Sequence, residues 1–246
     1  MNGRVSRRIR ALGLAGFEEY LAYLDRDRSG RELSALLDVM TTNVTSFFRE
    51  PAHFQFLKDQ VAPDTLRAGR KLTVWSAGCS NGAEPYSIAM TLRESAPATT
   101  RVDAHILATD ISTGMLEQVK AAVYPVEVLR RMDPNLLQRY FTAKPGEPPA
   151  YEVRQDLRAM VRAEHLNLLH TWPGWTPFDV IFCRNVMIYF DRATRVELVR
   201  RFTERLRPGG YLLVGHSESL TGMQTDLQYV MPAVYRKPPA AARNVA

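Results

Sequence analysis

Cysteine and histidine are scarce: Cys79 and Cys183 are the only thiols, and five histidines are scattered through 246 residues. Two thiols make no disulfide framework, and this spacing offers no metal-ligand set, so no metal is expected. There is no run of about 18 apolar residues, which argues against a spanning helix and membrane insertion. The N-terminus MNGRVSRRIR lacks the apolar core of a secretory signal. These absences lead to the expectation of a cytoplasmic protein. Internal repeats are absent too. So are G-x-G-x-x-G and G-x-x-x-x-G-K-[ST] in the one glycine turn that follows an apolar run, so a phosphate at that turn is not expected.

What is present begins with that turn. Residues 72–90 read LTVWSAGCSNGAEPYSIAM. Leu72, Val74 and Trp75 make a β-rich run, Gly78 and Gly82 bracket a small polar turn, and Glu84-Pro85 opens a helix, where proline loses no hydrogen bond and an acid suits the dipole. Strand, glycine turn and helix bring backbone N–H groups close to a ligand, although any parallel sheet also uses such turns. The formal charge of +6 comes from 32 basic and 26 acidic residues. Arg4, Arg7, Arg8 and Arg10 crowd the start and are candidates for steering an acidic partner. A second group, Arg192, Arg195, Arg200, Arg201, Arg205 and Arg207, reads equally well as a solvated helix face.

Taken in order, Arg4 to Leu24 reads as one amphipathic helix, or two broken near Gly13 and Gly16, and helices are expected at Arg31–Met40 and Pro51–Gln60. Residues 1–60 thus read as an N-terminal helical domain and 61–246 as a second domain. The polar segment Met40–Glu50 between two helices is, by itself, an ordinary junction. From Leu72 the rhythm becomes strand, helix, strand, the pattern of a doubly wound parallel sheet. Strands are expected at Leu72–Ala77, Ala104–Ala108, Met160–Leu166, Phe178–Cys183 and Tyr211–Gly215, with a final pair around Met231-Pro232. Asp110, at the end of the second strand, stands where such folds hold a ribose, or else caps the helix at Ser112–Ala122. Residues Tyr124–Ala159 exceed any ordinary loop and imply an inserted β-subdomain, with Ala150–Val153 and Leu157–Val161 as its paired strands. Asp191–Leu206 is expected to be a helix closed by Pro208-Gly209-Gly210, and the residues from Lys237 onward read as a loose tail.

Together, TTNVTSFFRE, WSAGCSNGAEPYS, LATD, LNLL, FCRNVMIYF and LRPGGYLLVGHSE resemble the CheR family, chemotaxis receptor glutamate O-methyltransferases that use S-adenosylmethionine. The resemblance spans about Val5 to Lys237. It implies an α/β fold: a Rossmann-like class I methyltransferase sheet, mostly parallel with the last strand antiparallel, a small N-terminal all-helical domain and an inserted β-subdomain near 124–159. It also reverses the bland reading of the junction. Asn43, Thr45 and Arg49 would close over the cofactor, with Gly78 at the turn, Glu84 at the methionyl amino end and Asp110 on the ribose. Asn167 and Leu168 would meet the adenine, Arg184 and Asn185 the methionyl and sulfonium side, and Arg49 and Tyr189 the methyl group. The implied partners are the cytoplasmic helical region of chemotaxis receptors and, in some members, a receptor C-terminal peptide at the β-subdomain, with the enzyme acting as a monomer. Family members begin with an additional helix ahead of the segment matching Val5–Leu24.

Methyl transfer from a sulfonium to a carboxylate needs no general base, because only about one glutamate in 500 is protonated at pH 7. The task is desolvation and alignment, so the absence of a Ser/His/Asp or Cys/His set is consistent. Nucleic acid is not an expected partner: an amino-directed nucleic-acid methyltransferase would show Asn/Asp-Pro-Pro-aromatic after the fourth strand and a cytosine C5 enzyme Pro-Cys, whereas this strand ends Phe182-Cys183-Arg184-Asn185. An NAD-dependent oxidoreductase would want the missing third glycine. A catalytically silent cofactor-binding scaffold is the rival from another class. Cys79 and Cys183, ending neighbouring strands, are either small structural residues or sites of oxidative inactivation.

Overall fold

The computed structural model describes residues 2–41, 43–67, 69–96 and 102–240; residues 241–246 of the expected tail lie outside the described residues. The first amphipathic stretch is split: α1 (Asn2–Ala11) and α2 (Phe17–Arg26) are separate helices, and α3 (Arg31–Met40) follows. Gly13, at φ +71°, takes the left-handed conformation that ends α1. Val5, Ile9 and Tyr20 form the apolar centre of this bundle. Beside them Glu32 is buried. It accepts Arg8 Nη2 at 2.6 Å, Arg8 Nε at 3.0 Å and the Tyr20 hydroxyl at 2.8 Å. A buried carboxylate is tolerated when a bidentate guanidinium satisfies it. Arg8 thus commits its guanidinium to Glu32, although its side chain stays 31% exposed.

Residues 51–67 form one rod: α4 (Pro51–Phe56), a π-turn at Leu57–Val61, and α5 (Ala62–Arg67). Phe54, Phe56, Leu57 and Val61 share a core with the sheet residues Val74 and Phe182 instead of with α1–α3. The expected division at residue 60 falls inside this rod.

Ten strands follow among the described residues: β1 (Leu72–Ala77), β2 (Ala104–Asp110), β3 (Val123–Pro125), β4 (Phe141–Lys144), β5 (Ala150–Val153), β6 (Val161–His165), β7 (Phe178–Cys183), β8 (Leu206–Val214), β9 (Gln228–Met231) and β10 (Val234–Arg236). The main sheet runs β6-β2-β1-β7-β8-β10-β9. Pairings from β6 to β8 are parallel, and β10 is antiparallel to both of its neighbours. Every residue of β1 and β7 is buried, as expected of parallel strands covered on both faces. On one face lie α6 (Ala83–Glu94), α7 (Thr113–Ala121) and the 51–67 rod.

The insertion is a three-stranded antiparallel sheet, β3-β5-β4, carrying α8 (Val126–Leu129) and α9 (Pro134–Tyr140). The expected strand Leu157–Val161 is not part of it. Residues Gln155–Arg158 form the helical turn α10, and Val161 begins β6 of the main sheet; β5 pairs with β3 and β4 instead. α11 (Arg192–Arg205) is capped by Asp191, which accepts the Thr194 N–H at 2.8 Å. A second difference is that Pro208-Gly209-Gly210 lies within β8, where the register against β7 shifts between Phe178 and Val180. A Cβ on Gly210 would stand 2.9 Å from the Asp179 carbonyl oxygen, so the bulge is built on that close backbone approach.

The other face of the sheet centres on Trp75, which is fully buried. Its ring meets Trp172 at 4.9 Å, Trp175 at 5.1 Å and Phe202 at 5.2 Å, and its Nε1–H donates to Thr109 Oγ1 at 2.9 Å. Trp75→Ala is expected to cost about 4 kcal/mol of unfolding free energy, read by chemical denaturation; a loss under about 1 kcal/mol would show that the cluster repacks.

Candidate active site

Chain order reverses between β1 and β7, with β2 and β6 laid down on one side of β1 and β7 and β8 on the other. In open α/β sheets the crevice beyond the strand ends at such a switch point is the binding site. Here it is a cavity of about 640 Å³, within the range of small-molecule sites. Gly78, at φ +81°, forms its floor: a Cβ there would lie 2.4 Å from Val186 Cγ2. The Gly78 and Cys79 N–H groups both donate to the Thr109 carbonyl, at 2.8 and 2.9 Å, which ties the turn to the end of β2.

Asp110 closes that strand with its carboxylate on the cavity wall. Oδ2 accepts the Ser80 N–H at 2.8 Å and Oδ1 the Ser112 N–H at 2.9 Å. One bond per oxygen leaves acceptor capacity for two more donors. The N-cap of α7 is Ser112, whose hydroxyl accepts the Met115 N–H, so Asp110 is free of that duty. Burial pushes the Asp110 carboxyl up, while the N–H groups of Ser112 and Ser80 pull it down.

Across the floor, Arg184 leaves the end of β7 with its side chain 2% exposed. Its Nη1 donates to Glu84 Oε2 at 3.0 Å, and Nη2 lies 3.1 Å from Glu50 Oε2 while also donating to the Arg49 carbonyl. Glu84 further accepts the Ser76 hydroxyl at 2.6 Å. Burial pushes the Glu84 carboxyl up, opposed by Arg184. Burial acts on Glu50 in the same sense, but there Arg184 and the His216 backbone outweigh it and hold the carboxyl below its usual range. Beneath them His53 is fully buried and neither ring nitrogen has a hydrogen-bond partner among the described residues; burial, reinforced by Arg184, brings it down to about 4.

Residues 43–49 roof the cavity. The Asn43 carbonyl accepts the Ser80 hydroxyl at 3.1 Å, and Arg49 Nη1 donates to the Val44 carbonyl at 3.1 Å. Phe47 packs edge-on against Tyr124 at 4.9 Å and Phe141 at 5.7 Å, anchoring the roof to the inserted sheet, and the Phe48 N–H donates to Ser87 Oγ at 2.9 Å. On the far wall, Asn167 Oδ1 accepts the Leu169 N–H at 2.9 Å, and the Leu168 carbonyl accepts Arg201 Nη1 at 2.7 Å. Asn185, at φ +60°, donates its N–H to Glu218, whose carboxylate also holds the N–H groups of Ile188 and Gly215.

Asn43, Thr45, Arg49, Gly78, Glu84, Asp110, Asn167, Leu168, Arg184, Asn185 and Tyr189 all line this one cavity. Arg4, Arg7, Arg8 and Arg10 do not; they sit on α1, where Arg4 donates to the Thr41 carbonyl at 2.8 Å and Arg10 to the Ser6 carbonyl at 3.3 Å. Sequence reasoning missed Glu50, Ser76, Ser80, His53 and Glu218. Glu50 stood inside the FFRE motif, and Glu218 inside GHSE, but nothing in their spacing announced a partner. The dispersed histidines do converge once: Glu50, His53 and His216 carry ligand-type atoms within 4.8 Å of one another, at a carboxylate that Arg184 already neutralises. Cys79 lines the cavity and Cys183 is buried behind it; burial pushes both thiols well up, which suppresses the reactive thiolate.

Comparison with known proteins agrees with this arrangement. The family model described as "CheR methyltransferase, SAM binding domain" matches residues 43–235, and "CheR methyltransferase, all-alpha domain" matches residues 1–41. A chemotaxis protein methyltransferase of Klebsiella aerogenes is 42% identical over 94% of this chain and 79% of its own length. That of Escherichia coli K12 is 43% identical over 90% and 76%, and chemotaxis protein methyltransferase 2 of Pseudomonas aeruginosa is 42% identical over 94% and 82%. With the SAM-binding-domain model matched over residues 43–235 and relatives of this closeness over nearly its whole length, the chain belongs to the CheR methyltransferase family.

Proposed function

We propose that this protein transfers the methyl group of S-adenosylmethionine to glutamate side chains in the cytoplasmic helical region of chemotaxis receptors, yielding glutamyl methyl esters and S-adenosylhomocysteine. The observation that carries this reading is the convergence of Asp110, Glu84, Arg184, Arg49 and Tyr189 on one cavity that has no histidine among its described lining residues. The relatives named as chemotaxis protein methyltransferases supply the receptor side of it.

The donor set fits S-adenosylmethionine. Asp110 retains acceptor capacity for a ribose diol, the left-handed turn at Gly78 borders the cavity, and Ile111, Leu166 and Leu168 give the apolar surface a purine needs. Glu84 would hold the cationic amino group, and Arg184 and Asn185 the methionyl and sulfonium side. Asn43 and Thr45 close the roof. When bound, the cofactor supplies an electrophilic methyl on a positively charged sulfur. The protein's residues orient and desolvate the nucleophile: Arg49 directs the acceptor carboxylate towards the methyl, and Tyr189, 60% exposed at the mouth, meets the incoming segment. An already ionised glutamate needs no proton removed, so the chemical step is expected to be insensitive to pH between about 6 and 8.

Arg4, Arg7 and Arg10 would steer the acidic face of a receptor helix, with Arg8 held back by Glu32. The inserted sheet, with β3 and β4 as its edge strands, offers a receptor C-terminal peptide a place to add as a strand. The division into an N-terminal helical domain and a methyltransferase domain serves this purpose, because the roof segment joins the two.

Incubation with methyl-labelled S-adenosylmethionine and receptor cytoplasmic fragments is expected to give base-labile label on glutamate; base-stable label, or none, would defeat the reading and favour a silent scaffold. Arg49→Ala is expected to lower turnover about 100-fold with cofactor still bound, measured by steady-state kinetics; near-normal turnover would remove Arg49 from the reaction. Asp110→Asn is expected to weaken S-adenosylhomocysteine binding by about 10- to 100-fold, the effect of losing hydrogen bonds to a charged group, measured by calorimetry. Unchanged affinity would move the ribose elsewhere.

A further inference from the structure

Three metal-ligating side chains, none of which lines the cavity, gather where the 51–67 rod begins and β8 ends. Glu50 and His53 stand at the start of the rod, and His216 follows β8. One ligand-type atom from each lies within 4.8 Å of the other two. His53 Nδ1 is 3.5 Å from Glu50 Oε2, His216 Nδ1 is 4.0 Å from Oε1, and the two imidazole centroids are 5.4 Å apart. Sequence spacing conceals this, because only the fold brings His216 to the other two.

His53 itself calls for a partner. It is fully buried, and neither ring nitrogen has a hydrogen-bond partner among the described residues. Buried polar atoms are nearly always satisfied, so an exception points to a group that completes it. The 3.5 Å gap from Nδ1 to Glu50 is long for a hydrogen bond. It is close to the spacing of two ligands that share one ion: with bonds of about 2.1 Å in a tetrahedral site, ligand atoms stand roughly 3.4 Å apart. His216 has the freedom to close the remaining distance, its side chain being 53% exposed. The same exposure gives an ion its way in and leaves room for water as a fourth ligand.

The donors select the ion. Arg184 lies 3.1 Å from Oε2 and offsets the charge of Glu50, which disfavours a hard cation held by oxygen and charge. Oε1 keeps one long hydrogen bond among the described residues, from the His216 N–H at 3.4 Å. Two imidazole nitrogens and one carboxylate oxygen suit a borderline ion such as zinc, and not calcium or magnesium. We infer that Glu50, His53 and His216 bind a divalent transition-metal ion of the zinc class, which pins the first turn of the rod to the loop after β8. The site is separate from the cofactor cavity and stands without the S-adenosylmethionine reading.

The test uses the full chain without a histidine tag, stripped by chelator, titrated with zinc in a calorimeter and with cobalt(II) under visible absorption. Wild type is expected to take up a single equivalent with a micromolar or tighter dissociation constant, and cobalt to show the ligand-field bands of a low-coordinate site that zinc then displaces. His216→Gln, at a half-exposed position, is expected to weaken binding about 100-fold, no less than loss of an outer-shell partner costs a metal site, and to abolish the bands. His53→Gln is expected to do the same; should it fail to fold, His216→Gln decides alone. His105→Gln, at the opposite end of β2 from Asp110, is expected to bind as wild type does. Absence of uptake by wild type would overturn the inference and leave His53 to a buried water. Uptake that His216→Gln leaves unchanged would overturn it equally, since the ion would then be held elsewhere on the chain.

Discussion

A guanidinium with almost no water around it must be satisfied on every side, and the whole active end of this protein answers that requirement. Arg184 comes from the end of β7, Glu84 from the first turn of α6, and Glu50 with the Arg49 carbonyl from the roof segment. A buried charge left without its partner is costly, so these three segments are held in one relative position. The same hub brings the helical domain's outgoing connector down onto the sheet. Roof and floor of the cavity are thus joined by electrostatics at one end and by the Asn43–Ser80 contact at the other.

Glu218 does a comparable service for the segment after β7. Its carboxylate gathers the N–H groups of Asn185, Ile188 and Gly215, which fixes the loop that presents Asn185 and Tyr189. Rigid support of this kind behind residues that line the cavity is what alignment-driven chemistry needs, since a reaction without a general base draws its rate from position and desolvation. Of the late arginines, Arg201 turns inward: it stacks on Trp172 at 3.9 Å and braces the Leu168 carbonyl. Arg200 stays on the exposed face of α11, paired with Glu197 and Glu204.

Where the sequence pattern was strong, it located the elements that matter. The apolar run Leu72–Ala77, its glycine turn and the acid at Asp110 were readable because a buried parallel strand, a left-handed turn and a strand-end carboxylate each demand particular residue types. The roof segment was legible only through its motif, since Thr, Asn and Ser at a junction have many uses. Short apolar runs were ambiguous: Leu157–Val161 reads as a strand but divides between a helical turn and β6. The helix expected at Pro51–Gln60 does not end there: a π-turn at Leu57–Val61 carries it on into Ala62–Arg67. Pro208-Gly209-Gly210 looked like a loop because a bulge and a turn call for the same residues. Glu50 and Glu218 were invisible as partners because their contacts are long-range.

The ring of Phe47 lies between Tyr124 and Phe141, both of which belong to the inserted sheet. This makes the insertion a structural abutment and not a detachable cassette. Any shortened relative that dispensed with β3 and β4 would have to bury that aromatic some other way, or leave the lintel of its catalytic chamber unsupported.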